Sequence, residues 1–186
     1  MAFIIGANGV ISYCDAGDIR SADQRTFDAN EFVLDGLPLS PESVTDLLED
    51  LAVKATARIN QRIRASRSWR RYLGYVGETI NQNDIPEFDG NKIVARQQDF
   101  SEMCAYYTLK EYVLPKIADF GNPDSAEVQK IRYYENKFDD LFNELLGMMD
   151  WYDFDGSGTI DDSERFLKNR GPRRRSRGGR STVRVR

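Results

Sequence analysis

The fold class follows from residues 40–63, SPESVTDLLEDLAVKATARINQRI, which join a helix start to a helical repeat. Ser40 is a favourable N-cap, and Pro41 occupies the first helical position, where a missing amide proton costs no hydrogen bond. The pattern predicts an amphipathic helix of about six turns. Its apolar stripe consists of Val44, Leu47, Leu48, Leu51, Ala55, Ile59 and Ile63.

Two further helices are predicted downstream. One covers about residues 95–114 and is ended or kinked by Pro115; the other covers about 123–149, with Asn122 as its cap. No sustained alternation of apolar and polar residues predicts a larger sheet. The predicted fold class is therefore all-α, a helical bundle of three main helices.

The remaining segments are appendages of this predicted bundle. Residues 15–30 are compatible with short helical pieces, and residues 34–38 have the composition of a linker. The predicted organisation is an N-terminal arm with short elements and a weak hairpin (1–39), the helical bundle with a long inter-helix loop at Gly77–Asn91 (40–150), an EF-hand-like loop with a short exit helix (151–170), and an extended basic C-terminal tail (171–186).

The EF-hand-like loop is residues 153–164, DFDGSGTIDDSE, which match the twelve-residue calcium pattern position by position. Gly158 stands where the loop reverses sharply, and Ile160 is expected to point into the fold. The alternative is a polar turn between helices. A single loop of this kind favours a structural Ca²⁺ over a calcium sensor, since sensors use paired loops. The predicted metal ligands are Asp153, Asp155, Ser157, Thr159 through its carbonyl, Asp161 and Glu164.

Charge is distributed very unevenly along the 186 residues, whose net charge is −4. From Arg165 onward there are ten Lys or Arg and no acid, which leaves 16 basic and 30 acidic residues, a net of −14, in the rest. An acidic body with a basic extension predicts a tail that contacts another surface. Its C-terminal alternation of Val and Arg would also allow an added β-strand on a partner. The predicted partner-binding residues are Arg173, Arg174, Arg175, Arg177, Arg180, Val183, Arg184, Val185 and Arg186.

Several function classes lose support from composition. The chain contains no histidine and no phosphate-cradling glycine loop, so an enzyme is not expected. Cys14 and Cys104 have no metal-ligand spacing and predict neither a disulfide framework nor a zinc site. No segment has the composition of a signal peptide or a membrane span, which predicts a soluble protein made in the cytoplasm.

Three phrases carry a resemblance to a known family: DAGDIRSADQRTFD (15–28), ARQQDF (95–100) and YVLPKIADF (112–120). They resemble head-to-tail adaptor (connector) proteins of tailed bacteriophages. The resemblance implies a homo-oligomeric ring in the virion neck, typically dodecameric, that docks on the portal protein through its C-terminal segment. It also implies a central channel through which DNA passes without sequence specificity, and a downstream tail or nozzle protein as a neighbour. The long loop would then face a neighbouring subunit or that component.

Two alternatives remain open at this point. A nucleic-acid-binding protein could use the arginine-rich tail together with the cluster between Arg58 and Arg71, and its binding would weaken steeply with salt. A net charge of −14 on the rest of the chain argues against it. A calcium-dependent interaction module with a single EF-hand is the other alternative, and it requires a conformational change on calcium binding.

Overall fold

Helices and two short antiparallel ladders make up the part of the chain that the computed structural model describes, which is residues 3–7, 9–28, 33–34, 37–38, 41–76 and 87–161. This part is mostly helical, as predicted. The helices are α1 (Ala16–Ala22), α2 (Gln24–Asp28), α3 (Pro41–Ala65), α4 (Arg67–Val76), α5 (Gln97–Thr108), α6 (Leu114–Ile117) and α7 (Ala126–Met148), with a 3-10 turn at Gly90–Lys92 and a π segment at Leu109–Val113. The strands are β1 (Ile4–Gly6), β2 (Gly9–Ser12), β3 (Val33–Leu34) and β4 (Leu37–Pro38).

Helix α3 confirms the first predicted helix. It begins at Pro41 and runs for 25 residues to Ala65. Six of the seven predicted stripe residues are buried, and Leu47 is partly buried against them. Because one face of α3 is apolar along its whole length, the other elements can pack against it over many turns.

The second predicted helix begins and ends later than expected. It starts at Gln97 rather than Ala95, because Arg96 adopts a left-handed conformation with φ 56° that interrupts a helix. It also continues past Leu114 to Ile117. Pro115 has no amide proton to donate, and the helix widens just before it, where the Leu114 amide donates to the Leu109 carbonyl five residues back. Pro115 thus coincides with a distortion rather than an end.

Helix α7 matches the third predicted helix, but its cap is different. The N-cap is Ser125, whose hydroxyl accepts from the Val128 amide at 3.3 Å. The predicted cap, Asn122, instead accepts from the Asp124 amide at 3.1 Å and closes a turn one step upstream. Asn and Ser are both favourable at helix starts and in turns, and here Ser125 lies at the helix start while Asn122 lies in the preceding turn.

Helix α4 was not predicted. It follows α3 after a break at Ser66, whose hydroxyl accepts from the Trp69 amide at 3.1 Å. Trp69 and Leu73 are buried, so α4 belongs to the core. Much of the predicted loop at Gly77–Asn91 lies outside the described residues; its described end contains the 3-10 turn.

The N-terminal residues are part of the bundle, not an arm attached to it. Strands β1 and β2 pair antiparallel, which confirms the predicted hairpin. Phe3, Tyr13 and Ile19 are buried in the common core. Helix α1 is held at its start by a capping box, in which Asp15 and the N3 residue Asp18 satisfy each other's backbone amides.

One smaller expectation is corrected, and both cysteines lie in the core. The predicted linker at residues 34–38 contains part of a minimal ladder between β3 and β4. Cys14 and Cys104, far apart in sequence, are both buried and both free thiols. Their mutual hydrogen bond, together with burial, raises the pKa of Cys14. Both thiols are therefore part of the core.

Candidate functional site

The candidate site is the acidic loop after α7 and the segment that fastens it to the bundle. Helix α7 ends where Met149 takes a left-handed φ of 49°. The chain then turns back, and Trp151 is fully buried. Its indole N–H donates to the Leu145 carbonyl at 2.8 Å, which satisfies the polar atom of the buried ring. The loop therefore starts from a fixed point.

Backbone hydrogen bonds tie this segment to the stretch before α5. The Val94 amide donates to the Trp151 carbonyl at 3.1 Å, and the Asp153 amide donates to the Lys92 carbonyl at 2.8 Å. Between them, Ile93 and Tyr152 form an antiparallel bridge. This short ladder holds residues 151–153 against residues 92–94.

An aromatic cluster, which we call the anchor, packs around the same segment. Trp151 and Phe100 have ring centroids 4.8 Å apart, Trp69 and Tyr152 4.9 Å, and Tyr152 and Phe154 4.6 Å. The rings come from α4, α5 and the flanking loops, so the anchor couples the loop to several elements at once. Its members are Trp69, Phe88, Phe100, Trp151, Tyr152 and Phe154.

Arg96 fastens the same region through charge. Its guanidinium lies 3.1 Å from Asp99, 3.5 Å from Glu144 and 3.0 Å from Asp150. Since its side chain is only 27% exposed, these ion pairs are better shielded than ordinary surface pairs. Arg96 thus connects the start of α5 with the end of α7.

Within the loop, Asp153 is held by backbone amides. One carboxylate oxygen accepts from Gly156 at 2.8 Å and Ser157 at 3.3 Å, and the other accepts from Gly158 at 2.7 Å. Burial alone would raise the pKa of Asp153, but the amide donors outweigh it and hold the pKa below its usual range. Asp153 is therefore an ionised carboxylate inside a preformed turn.

The reversal at Gly158 is as the sequence predicts, and Gly156 makes a second one. Their φ angles are 81° and 77°, in the left-handed region that favours glycine. Ile160 is half-buried, which agrees with the predicted inward direction only in part.

The other predicted metal ligands are placed as follows. Asp155 accepts from the Ser157 amide at 2.9 Å, so the carboxylates of Asp153 and Asp155 converge on one N–H. The Ser157 hydroxyl donates to the Thr159 carbonyl at 2.9 Å, which joins the predicted fifth and seventh positions. Asp161 is exposed. Glu164 lies outside the described residues, as do all the predicted partner-binding residues of the tail, 173–186.

The loop has the chemistry of a calcium site without a complete ligand set. Across the described ranges, no three Asp, Glu or Cys side chains come together as a group that could hold a metal ion. Carboxylate, hydroxyl and carbonyl oxygens are nevertheless the ligands that Ca²⁺ prefers, and a carboxylate oxygen can accept an amide while binding a cation. Calcium binding therefore stays a prediction.

A cleft beside α3, lined by two arginines and by Glu111, was only partly foreseen from the arginine cluster. It has a volume of about 510 Å³ and is lined by Arg58, Arg62, Tyr107 and neighbouring side chains. The Arg62 guanidinium lies 5.5 Å from the Tyr107 ring centroid and 4.0 Å from Asp139. Sequence shows the arginines, but the facing aromatic ring comes from α5.

None of the described helices is both long and apolar enough to span a membrane. No model of a protein family matches the chain, and no curated protein or solved structure matches it either. A functional proposal therefore depends on the residues and on their arrangement.

Proposed function

We propose that this chain is a structural subunit of a head-to-tail adaptor ring of a tailed bacteriophage. Its C-terminal tail, including residues 173–186, docks on the portal protein, and copies of the chain surround the DNA channel. The resemblance at residues 15–28, 95–100 and 112–120 suggests this role. The observation that carries it is the anchor, which fixes the chain at residues 151–154, shortly before the basic extension.

The anchor fixes the chain at the start of the acidic loop. Trp151 and Tyr152 are buried, and Trp151 and Asp153 are hydrogen-bonded to the backbone before α5. The direction of the chain at residue 153 is therefore set by the core. A tail that leaves from a fixed point loses less freedom on docking than one that leaves from a loose end. The basic composition of residues 171–186 suits contact with another surface.

Calcium has a supporting part in this proposal. The cage around Asp153 already positions one carboxylate, and Glu164 would complete the set from the far end of the pattern. The bound ion would stiffen the loop of residues 153–164 between the helical bundle and the tail. No step of docking is assigned to it.

Portal docking tests the proposal directly. The full chain and a variant lacking residues 171–186 are mixed with purified portal rings, and the mass of each mixture is measured. We expect the full chain to dock and the truncated body to remain folded but unbound. A matched variant with every arginine of residues 173–186 replaced by lysine separates charge from guanidinium geometry. Docking by the truncated body would contradict the proposed role of the tail.

Calorimetry tests the calcium part. Asp153→Asn and Glu164→Gln each remove a predicted ligand charge and should abolish calcium-dependent heat and stabilisation. Asp140→Asn, an exposed acid on α7, serves as the matched control and should bind like the original chain. Absence of heat and of any calcium-dependent shift in melting temperature in the unaltered chain would favour the plain turn.

A nucleic-acid-binding function has one specific observation in its favour. Arg67, Arg70 and Arg71 are exposed on α4 and make no ion pair with any described residue. Duplex DNA binding measured from low to high salt separates the two functions. Tight binding with a steep salt dependence, together with failure to bind portal rings, would favour the nucleic-acid function.

A further inference from the structure

The exposed surface of α3 and α4 changes sign along its length. Residues 41–50 carry four acids and no base, whereas residues 51–76 carry seven bases and no acid. We define the acidic face as Glu42, Asp46, Glu49 and Asp50, and the basic face as Arg58, Arg67, Arg70 and Arg71. All eight side chains are exposed except that of Glu49, which is half-buried.

These charges are not neutralised within one copy. None of the eight forms an ion pair in the described part of the chain. Asp46 and Asp50 lie one helical turn apart, an arrangement of like charges that destabilises an isolated helix. The helix dipole favours acids in the first turn and bases in the last, but its effect does not reach Asp50 or Arg58 near the middle of α3.

The two faces are also too far apart to meet in one copy. Asp50 and Arg58, the members nearest each other along α3, are eight residues apart, which is about 12 Å at about 1.5 Å per residue. Between the faces lie Val53, which is 37% exposed, Ala57, and one exposed base, Lys54. A surface with an acidic end and a basic end is complementary to itself in a second copy.

We infer that the acidic face of one copy docks on the basic face of the next, head to tail. This inference rests on the proposed ring and names the contact between its subunits. Each copy then uses two different patches and meets two neighbours, which is the type of contact that closes into a ring when its rotation allows. A polyanion such as DNA would cover only the basic face and would be repelled by the acidic one, so a second copy accounts for more of the surface.

Charge reversal of the full chain tests this contact without any portal. The acid-reversed variant carries Asp46→Lys and Asp50→Lys; the base-reversed variant carries Arg67→Glu and Arg70→Glu. The control variant carries Glu135→Lys and Asp140→Lys, which reverse the same number of exposed acids on α7. Circular dichroism checks that each variant is folded, and sedimentation velocity measures assembly at about 0.05 M and 0.5 M salt, where exposed charges interact strongly and weakly.

We expect the original chain and the control variant to assemble at low salt and to dissociate at high salt. Each reversed variant should need at least about a tenfold higher concentration to assemble, because like charges then face each other. A mixture of the two reversed variants should assemble again, since each altered face meets its altered partner. The chain carrying all four substitutions should also assemble alone.

Three results would overturn the inference. One is a chain that stays monomeric at low salt and high concentration, and another is a dimer that grows no further. The third is a base-reversed variant that assembles normally but no longer binds duplex DNA, which would assign the basic face to nucleic acid. A monomeric chain that still docks on portal rings would overturn this contact and leave the proposed function intact. An assembling chain that ignores the portal would do the reverse.

Discussion

Replacement of Trp151 tests whether the anchor holds the acidic loop on the bundle. Trp151 is fully buried, its ring lies 4.8 Å from Phe100, and its indole N–H donates to the Leu145 carbonyl. Trp151→Ala removes the whole ring from the core, a change that costs about 3–5 kcal/mol. In a chain of this length the melting temperature should fall by roughly 6–20 °C.

A second substitution divides this cost into its parts. Trp151→Phe keeps an aromatic ring but removes the N–H donor, which contributes about 1 kcal/mol. The Leu145 carbonyl still accepts from the Met149 amide at 3.0 Å, so it is not left without a donor. We therefore expect Trp151→Phe to lose well under half of the free energy that Trp151→Ala loses.

The assay is urea unfolding followed by far-UV circular dichroism, which does not depend on the fluorescence of the removed tryptophan. Phe120→Ala is the control, because Phe120 is an aromatic residue that is 66% exposed, and it should change the free energy of unfolding by less than about 0.5 kcal/mol. If Trp151→Ala cost no more than about 1 kcal/mol, or no more than the control, the anchor would not be the fixed point inferred from its burial.

Four further predictions concern the same region and the core beneath it. Arg96→Ala should lower the free energy of unfolding by about 1–2 kcal/mol, since three carboxylates lose their shared partner, and added salt should reduce the difference between variant and original; equal stability at low salt would contradict this. Because the pKa of Asp153 is depressed in the folded state, its contribution to the free energy of unfolding is fully present above the ordinary pKa of 3.8. That contribution is lost as the pH falls towards the lower folded pKa. Asp153→Asn should therefore weaken the loss of stability at acidic pH, measured by unfolding at a series of pH values. Burial raises the pKa of Tyr13, so its contribution to the free energy of unfolding is fully present below about pH 10 and falls as the pH rises further. Spectroscopic titration of tyrosine ionisation follows this change. Ionisation of Tyr13 at the ordinary pKa in the folded state would refute the prediction. Gly158→Ala should destabilise the fold by about 1 kcal/mol because of the φ of 81° at this position, although no atom blocks the added methyl group. Gly147→Ala in α7 should instead stabilise the fold by about 0.5–1 kcal/mol, because alanine favours a helix more than glycine does. Thermal unfolding of both variants checks the sign of each change.

The three long helices could be predicted because their signals are local. In α3, the cap, the proline and the apolar stripe all lie in one continuous segment, and burial follows the stripe. The glycine at position 158 was predictable for the same reason, since a twelve-residue pattern specifies its own turn.

Other features depend on contacts that no local pattern contains. The start of α5 is set by Arg96, whose left-handed backbone is held by carboxylates on α5, on α7 and just beyond α7. Helix α4 was missed because its arginines obscure the apolar pattern in the sequence. Trp69 and Leu73, which pack into the core, lie between them or just after them. The N-terminal segment was predicted as an arm because its apolar residues form no long helical repeat. Phe3, Tyr13 and Ile19 are nevertheless buried in the core, whereas Ile5 and Ile11 are exposed.

By itself, the sequence determined the helical class, the long helices, the sign change of charge and the reversal at Gly158 in the acidic loop, because each of these depends on residues close together along the chain. Only the tertiary structure decided that the loop starts from a rigid point. The anchor draws its rings from residues 69, 88, 100 and 151–154, and their meeting depends on how α4, α5 and α7 pack. Burial of aromatic surface is favourable wherever the rings lie in the sequence. The packing of the helices decides which rings meet in the anchor.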